Sequence, residues 1–166
     1  MSPAPRPEIA FRLRPASADD LPDIVELAVQ MVVHSLSPYR DSTPEMVRVY
    51  RREDLRTLQD ALQLDRARVL VAEAPDGSLL GHIVVLAGQI DSSTGEAQGW
   101  IFDVSVRHDC WGKGVGRTLV AAAEHFVAER GLSRIGLGVT SANQRAVRFY
   151  EELGYLEERK QMIKKL

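Results

Sequence analysis

The chain is short of the residues that would tie it to several common protein classes. It has one cysteine, Cys110, so no disulfide can form within it. Its four histidines are scattered, and no Cys/His pair falls at zinc-ligand spacing, so no metal is expected. No apolar run approaches the roughly 18 residues of a membrane span, and no membrane partner is expected. Charge of neither sign is in excess: 21 Lys+Arg against 23 Asp+Glu leave a net charge of −2. A protein built to coat nucleic acid would carry a basic surplus, so no nucleic-acid partner is expected. The opening Met1-Ser2-Pro3-Ala4-Pro5-Arg6-Pro7 holds no apolar signal core. Residues 1–8 therefore read as a flexible arm, and a reducing cytoplasm is the simplest location.

What is present suits a globular domain. The 166 residues are 45% hydrophobic and 27% charged, enough chain for one core and one domain, residues 9–166. Ile9, Phe11 and Leu13 alternate with polar or small residues, the period of a strand that Pro15 ends. Ser17 reads as a helix N-cap before Leu21, Ile24, Leu27, Ala28 and Met31 at helical spacing. A turn-rich stretch follows from His34 to Ser42, and Thr43-Pro44 opens a second helical region interrupted enough to be two short helices. Strands are expected at Arg68–Ala74 and Leu79–Leu86, joined by an Asp76-Gly77 hairpin turn. A loop over Gly88–Gly99 and a strand over Trp100–Val106 come next. After a glycine-rich turn, a helix runs to a cap at Gly131. The rest reads as a strand over Ile135–Thr140, a helix over Gln144–Leu153 stopped by Gly154, and a last strand from about Tyr155 to Ile163. The order implies an α/β, or mixed α+β, fold: one mixed sheet with helices over it.

The most informative segment is Trp111-Gly112-Lys113-Gly114-Val115-Gly116-Arg117, between a strand and a helix. Its alternating glycines remove side chains that would hold a ligand off the backbone. The first amides of the helix that follows lack internal partners, so a phosphate or pyrophosphate suits the turn. Lys113 and Arg117 add positive charge. The same glycines also suit a plain tight turn without a ligand. Neither Gly-x4-Gly-Lys-Ser/Thr nor Gly-x-Gly-x-x-Gly is present here, which sets aside the two common nucleotide motifs. Further on, Asn143 and Tyr150 lie seven residues apart, two helical turns on one face. Read alone, Asn143 is a helix cap and Tyr150 a core aromatic.

Together the two segments resemble the GCN5-related N-acetyltransferase (GNAT) family. Its Gln/Arg-x-x-Gly-x-Gly/Ala motif is met from Trp111 to Gly116, with Trp111 in place of Gln or Arg. Its later Asn-x-x-Ala-x-x-Phe-Tyr-Glu-x-x-Gly-Phe/Tyr pattern is met at Asn143, Ala146, Phe149, Tyr150, Glu151, Gly154 and Tyr155. The resemblance spans nearly the whole chain. It implies a mostly antiparallel central sheet flanked by helices, with a V-shaped cleft between the two central strands, opened by a bulge.

It also implies transfer of an acetyl group from acetyl-CoA to a primary amine of a small molecule or peptide by direct attack, with no metal. The pyrophosphate would meet amides of Gly112, Lys113 and Gly114, then Val115, Gly116, Arg117 and Thr118. The pantetheine arm would lie along the strand at the Val104 and Val106 amides. Asn143 matches a cofactor-contacting position. Tyr150 matches a frequent general acid that also touches the cofactor. Asp103 is the base candidate, with Glu96 the weaker alternative and a water chain a third route. A carboxylate at Asp103 that only binds the amine, or faces solvent, is the alternative to a base. His82 and His108 read as surface or packing residues, and Cys110 as inert. Acceptor choice is expected in His34–Thr43, which holds Tyr39, Arg40 and Asp41, and in the Gly88–Gly99 loop with Asp91. A homodimer paired through the last strand is the expected assembly. The alternative from another class is a non-catalytic coenzyme A-binding sensor of the same fold.

Overall fold

The structure, a computed structural model, describes residues 9–166; the arm expected over residues 1–8 lies outside the described residues. Strands β1 (Arg12–Pro15), β2 (Ala67–Glu73), β3 (Leu79–Ile90), β4 (Ala97–Val106) and β5 (Ile135–Leu137) form one sheet in sequence order. All neighbours are antiparallel except β4 and β5, which run parallel. The helices are α1 (Leu21–Met31), α2 (Pro44–Asp54), α3 (Leu58–Ala61), α4 (Val115–Ala128) and α5 (Gln144–Glu152).

Strand alternation divides the core into two layers. On one face Ile83, Val85, Ala87 and Ile101 pack with Leu119, Val120, Ala123 and Phe126 of α4. On the other, Val69, Val71 and Val84 pack with Ile24 and Ala28 of α1 and with Leu55 and Leu58. Gly99 is required by the first layer, because a Cβ there would run into the Val127 methyls.

Most element boundaries follow the sequence reading. Ser17 and Asp20 close a capping box, with Ser17 donating its amide to the Asp20 carboxylate at 2.7 Å. Thr43 accepts from the Met46 amide at 3.3 Å and starts α2. The second helical region is indeed broken, with a tight 3-10 turn at Leu55–Thr57 between α2 and α3.

Four boundaries differ. The first strand begins at Arg12, not Ile9, since pairing with β2 begins at Arg12↔Glu73. The Gly88–Gly99 loop shrinks to Asp91–Glu96: Gly88, at φ 79°, sits in a bulge that lets β3 continue to Ile90. The strand expected over Ile135–Thr140 stops at Leu137, where pairing with β4 ends. No strand forms over Tyr155–Ile163. Leu156, Met162 and Leu166 alternate there with Glu158, Lys160 and Lys164 on one face, so neither face is apolar throughout and none docks on the sheet. Among the described residues β5 is therefore a sheet edge.

Candidate active site

The site grows from one irregularity. Val84 pairs with Asp103 but Val85 with Ile101, so Phe102 is an extra residue in β4, a bulge. Beyond it β4 continues to Val106 along β3, while its pairing with β5 ends at Ile101↔Leu137. The strands splay and open a cleft of about 770 Å³. The expected V-shaped cleft is therefore present, but between β4 and the edge strand β5 rather than between two central strands.

Past the bulge the free edge of β4 faces the cleft. The Arg107 amide donates to Leu80 O at 2.9 Å, toward β3, while Val106 O accepts from the Trp111 indole at 2.8 Å on the opposite side. Since backbone groups alternate along a strand, the Val104 and Val106 N–H groups point the same way as that carbonyl.

The glycine turn closes one end of the cleft. Gly112 (φ 75°) and Gly114 (φ 89°) adopt the left-handed backbone that other residues avoid, and nothing lies within 4 Å of a Cβ built on either. Gly114 is the N-cap of α4, so the Val115, Gly116 and Arg117 amides have no intrahelical acceptor. Two of the expected amides are already used: Lys113 donates to Cys110 O at 3.3 Å and Thr118 to Gly114 O at 3.0 Å. The Thr118 hydroxyl also turns to Gly114 O, at 3.1 Å. An open, side-chain-free turn with orphan amides at a helix N-terminus fits a pyrophosphate. The adjoining free strand edge fits an extended amide-bearing arm.

Trp111, unusual for the motif, has a definite place. Arg145 of α5 lies over its ring, 3.5 Å from the centroid, and His108 and His34 pack around it at 4.3 and 4.9 Å. Arg117 has one distant counter-ion, Glu152, at 3.8 Å. Buried Cys110 keeps its proton, since desolvation pushes its thiol up. Asn143 caps α5 by accepting from the Ala146 amide at 3.2 Å, and its side chain also reaches Ser35 Oγ at 3.5 Å.

Tyr150 and Asp103 meet in the same cleft from opposite layers. Tyr150 packs among Phe149 and Tyr155, and burial followed by the field of Asp103 pushes its phenol up to about 12. Asp103 faces the α1–α2 layer, as its register with Val84 requires. It is neither solvent-facing nor unpartnered: His82 Nε2 lies 2.6 Å from Oδ2, and Arg51 Nη2 of α2 lies 2.5 Å from Oδ1. Burial pushes this carboxyl up, but His82 and Arg51 together outweigh it and hold Asp103 below the usual carboxylate range. An ionised carboxylate only accepts, so His82 donates from Nε2, and its buried Nδ1 is left with no partner.

Sequence reading missed His82 and Arg51. A histidine inside the otherwise apolar Leu80–Ala87 run was a usable signal; Arg51 had none, because its partner lies 52 positions away in another layer. Of the segments expected to select the acceptor, His34–Thr43 reaches the cleft through His34 and Ser35, while its Tyr39, Arg40 and Asp41, and Asp91 and Glu96 of the Gly88–Gly99 loop, do not line it; Val47 and Tyr50 of α2 do. Asp91 instead folds the β3–β4 hairpin tip: the Thr94 amide, then its hydroxyl, hold its carboxyl down to about 2.

A splayed strand, a glycine turn at a helix N-terminus and a half-buried tyrosine across the gap thus meet in one cleft. The family model described as the Acetyltransferase (GNAT) family matches residues 35–155, and the chain belongs to that family. It is 36% identical over 104 residues to a mycothiol acetyltransferase of Propionibacterium freudenreichii subsp. shermanii, covering 62% of this chain and 32% of that protein. The chain thus spans about a third of the length of that relative. It is 31% identical over 114 residues to streptothricin acetyltransferase of Streptomyces lavendulae, covering 68% and 58%. Among solved structures, a GCN5-related N-acetyltransferase from Ralstonia eutropha shares the fold with a TM-score of 0.73 at 20% identity, covering 95% and 99% of the two chains. Among the described residues no group of metal-ligating side chains occurs, and no helix is long and apolar enough to cross a membrane.

Proposed function

We propose that the protein transfers an acetyl group from acetyl-CoA to the amine of a small molecule or peptide. The observation that carries this reading is the junction of two unpaired backbone surfaces, the β4 edge at Val104 and Val106 and the amides that start α4. Gly112, Gly114 and the Val115–Arg117 amides would hold the pyrophosphate, with Lys113 and Arg117 adding charge. Val104 and Val106 would bond the pantetheine arm as an added strand, and a backbone N–H near Val104 is the candidate donor for a developing oxyanion. Asn143 and Trp111 shape the wall opposite. When bound, acetyl-CoA supplies a thioester acetyl that a neutral amine takes by direct attack.

The chain's own groups then manage protons. Tyr150, with its phenol held protonated to about 12, is suited to deliver a proton to the departing sulfur. Asp103, held ionised, is suited to receive the ammonium; a carboxyl held below its usual range is a weak base, so the ammonium proton leaves through water. The names of the relatives support a small-molecule acceptor, since mycothiol and streptothricin acetyltransferases are among them.

The test is release of coenzyme A thiol from acetyl-CoA across a panel of alkylamines, amino sugars, amino-acid derivatives and N-terminal peptides. Acceptor-dependent release establishes the transfer and its acceptor class. Coenzyme A binding without release by any acceptor would reject catalysis, and absence of binding would reject the assignment of the glycine turn.

A further inference from the structure

The link between Arg51 and Asp103 is built so that it can be exchanged. Asp103 keeps a second partner on its other oxygen, His82 Nε2 at 2.6 Å. Arg51 also keeps a second partner, because Nη1 lies 2.6 Å from Asp54 Oδ2, one turn further along α2. Breaking the Arg51–Asp103 contact therefore strands neither charge, whereas breaking either outer contact loses a distinct anchor. Two carboxylates, Asp54 and Asp103, share one guanidinium. Both Arg51 and Asp103 line the cleft, and the Asp103 field reaches Tyr150 across it. Helix α2 has no buried residue of its own, so little packing resists a shift of its Arg51 end.

We propose that Arg51 occupies the position of the acceptor's cationic group, and that an alkylammonium displaces its Nη2 from Asp103 Oδ1 while His82 holds Oδ2 fixed. Resting on the acetyl-transfer reading, this makes the acceptor an aliphatic amine bound as a cation, not an arylamine or a neutral nucleophile. The displaced guanidinium stays on Asp54. His82 is a positioning residue: its anchoring in β3 sets which carboxylate oxygen meets the ammonium. The arriving cation would then stand in the cleft on the α1–α2 side, across from Tyr150.

The test uses n-butylammonium as probe and n-butanol as its neutral counterpart, with the full chain and NMR titration. In the unmodified protein, n-butylammonium should move the Arg51 Nε–H resonance and n-butanol should not. Arg51→Gln should bind n-butylammonium about fivefold more tightly, the competing ion having been removed. Asp103→Asn should bind it about tenfold more weakly or worse. If either variant fails to fold, the Arg51 resonance in the unmodified protein decides. An unmoved Arg51 resonance, an Arg51→Gln affinity equal to that of the unmodified protein, or an equal response to n-butanol would overturn the proposal. Thiol release with n-butylamine is followed separately. Release with no Arg51 response rejects the cation exchange and leaves the transfer reading standing; an Arg51 response with no release from any amine of the panel supports the cation site and rejects the transfer reading.

Discussion

Trp111 donates its indole N–H to the Val106 carbonyl at 2.8 Å, joining the glycine turn back onto the strand that precedes it. The same ring carries the Arg145 guanidinium at 3.5 Å, so one side chain ties the β4 edge, the turn and α5 together. Where its relatives' motif has Gln or Arg, this chain uses an indole as a brace.

The brace is measurable. Trp111→Phe keeps a ring for Arg145 and loses the donor, and should cost about 1 kcal/mol in urea unfolding. A double-mutant cycle of Trp111→Leu with Arg145→Met should give a coupling of about 0.5–1 kcal/mol. Zero coupling would mean that the stack is incidental.

Tyr150→Phe should lower kcat about 10²-fold while coenzyme A affinity stays within about twofold, because only a proton is lost. With the phenol pushed up to about 12, the folded-state value is above the ordinary one. Tyr150 therefore stays protonated through the neutral and mildly alkaline range and adds no alkaline limb there. A fall in kcat below pH 10 that disappears in Tyr150→Phe would contradict this assignment.

Glycines of the core and of the site should respond differently from one another. Gly99→Ala forces a methyl into Val127 and should cost about 1–3 kcal/mol. Gly114→Ala strains a φ of 89° at the cap of α4 and should weaken coenzyme A binding, read by calorimetry. Gly116→Ala places its Cβ 3.4 Å from Phe149, an ordinary contact, with no left-handed φ to strain, so both stability and affinity should be kept.

Acid should act partly through Asp20. The Arg14 guanidinium, then the Ser17 amide and hydroxyl, hold its carboxyl well below the usual range, although burial opposes them. A depressed folded value means that the contribution is complete above the unfolded value of about 4 and fades as pH falls toward the folded one. The Tm gap between the protein and Asp20→Asn should be constant from pH 7 to 5 and should narrow below 4. A gap independent of pH down to 2 would remove Asp20 from the account.

Much of this molecule was legible locally. Ser17, Thr43, Gly131 and Gly154 mark helix ends because capping uses bonds and backbone angles within a few residues. Period-2 and helical spacing located nearly every element for the same reason. The glycine turn at the start of α4 and Asn143 as the cap of α5 could be read because both depend on short, contiguous backbone. The last strand could not, because apolar residues near Tyr155 and Ile163 suggest a strand only until one asks which surface would cover them.

Tertiary structure alone decided how the charges are used. By itself the sequence set the order of strands and helices, the glycine cradle and the tyrosine facing it, all consequences of interactions between near neighbours. That Phe102 would be the bulge, that Asp103 would turn toward α2, and that His82 and Arg51 would hold its two oxygens followed only from the register of β3 against β4 and the packing of α2 above them. Register aligns residues some 20 positions apart, and a shift of one would send Asp103 to the other layer. Those long-range choices rest on the fit of the whole core, which no local run of residues encodes.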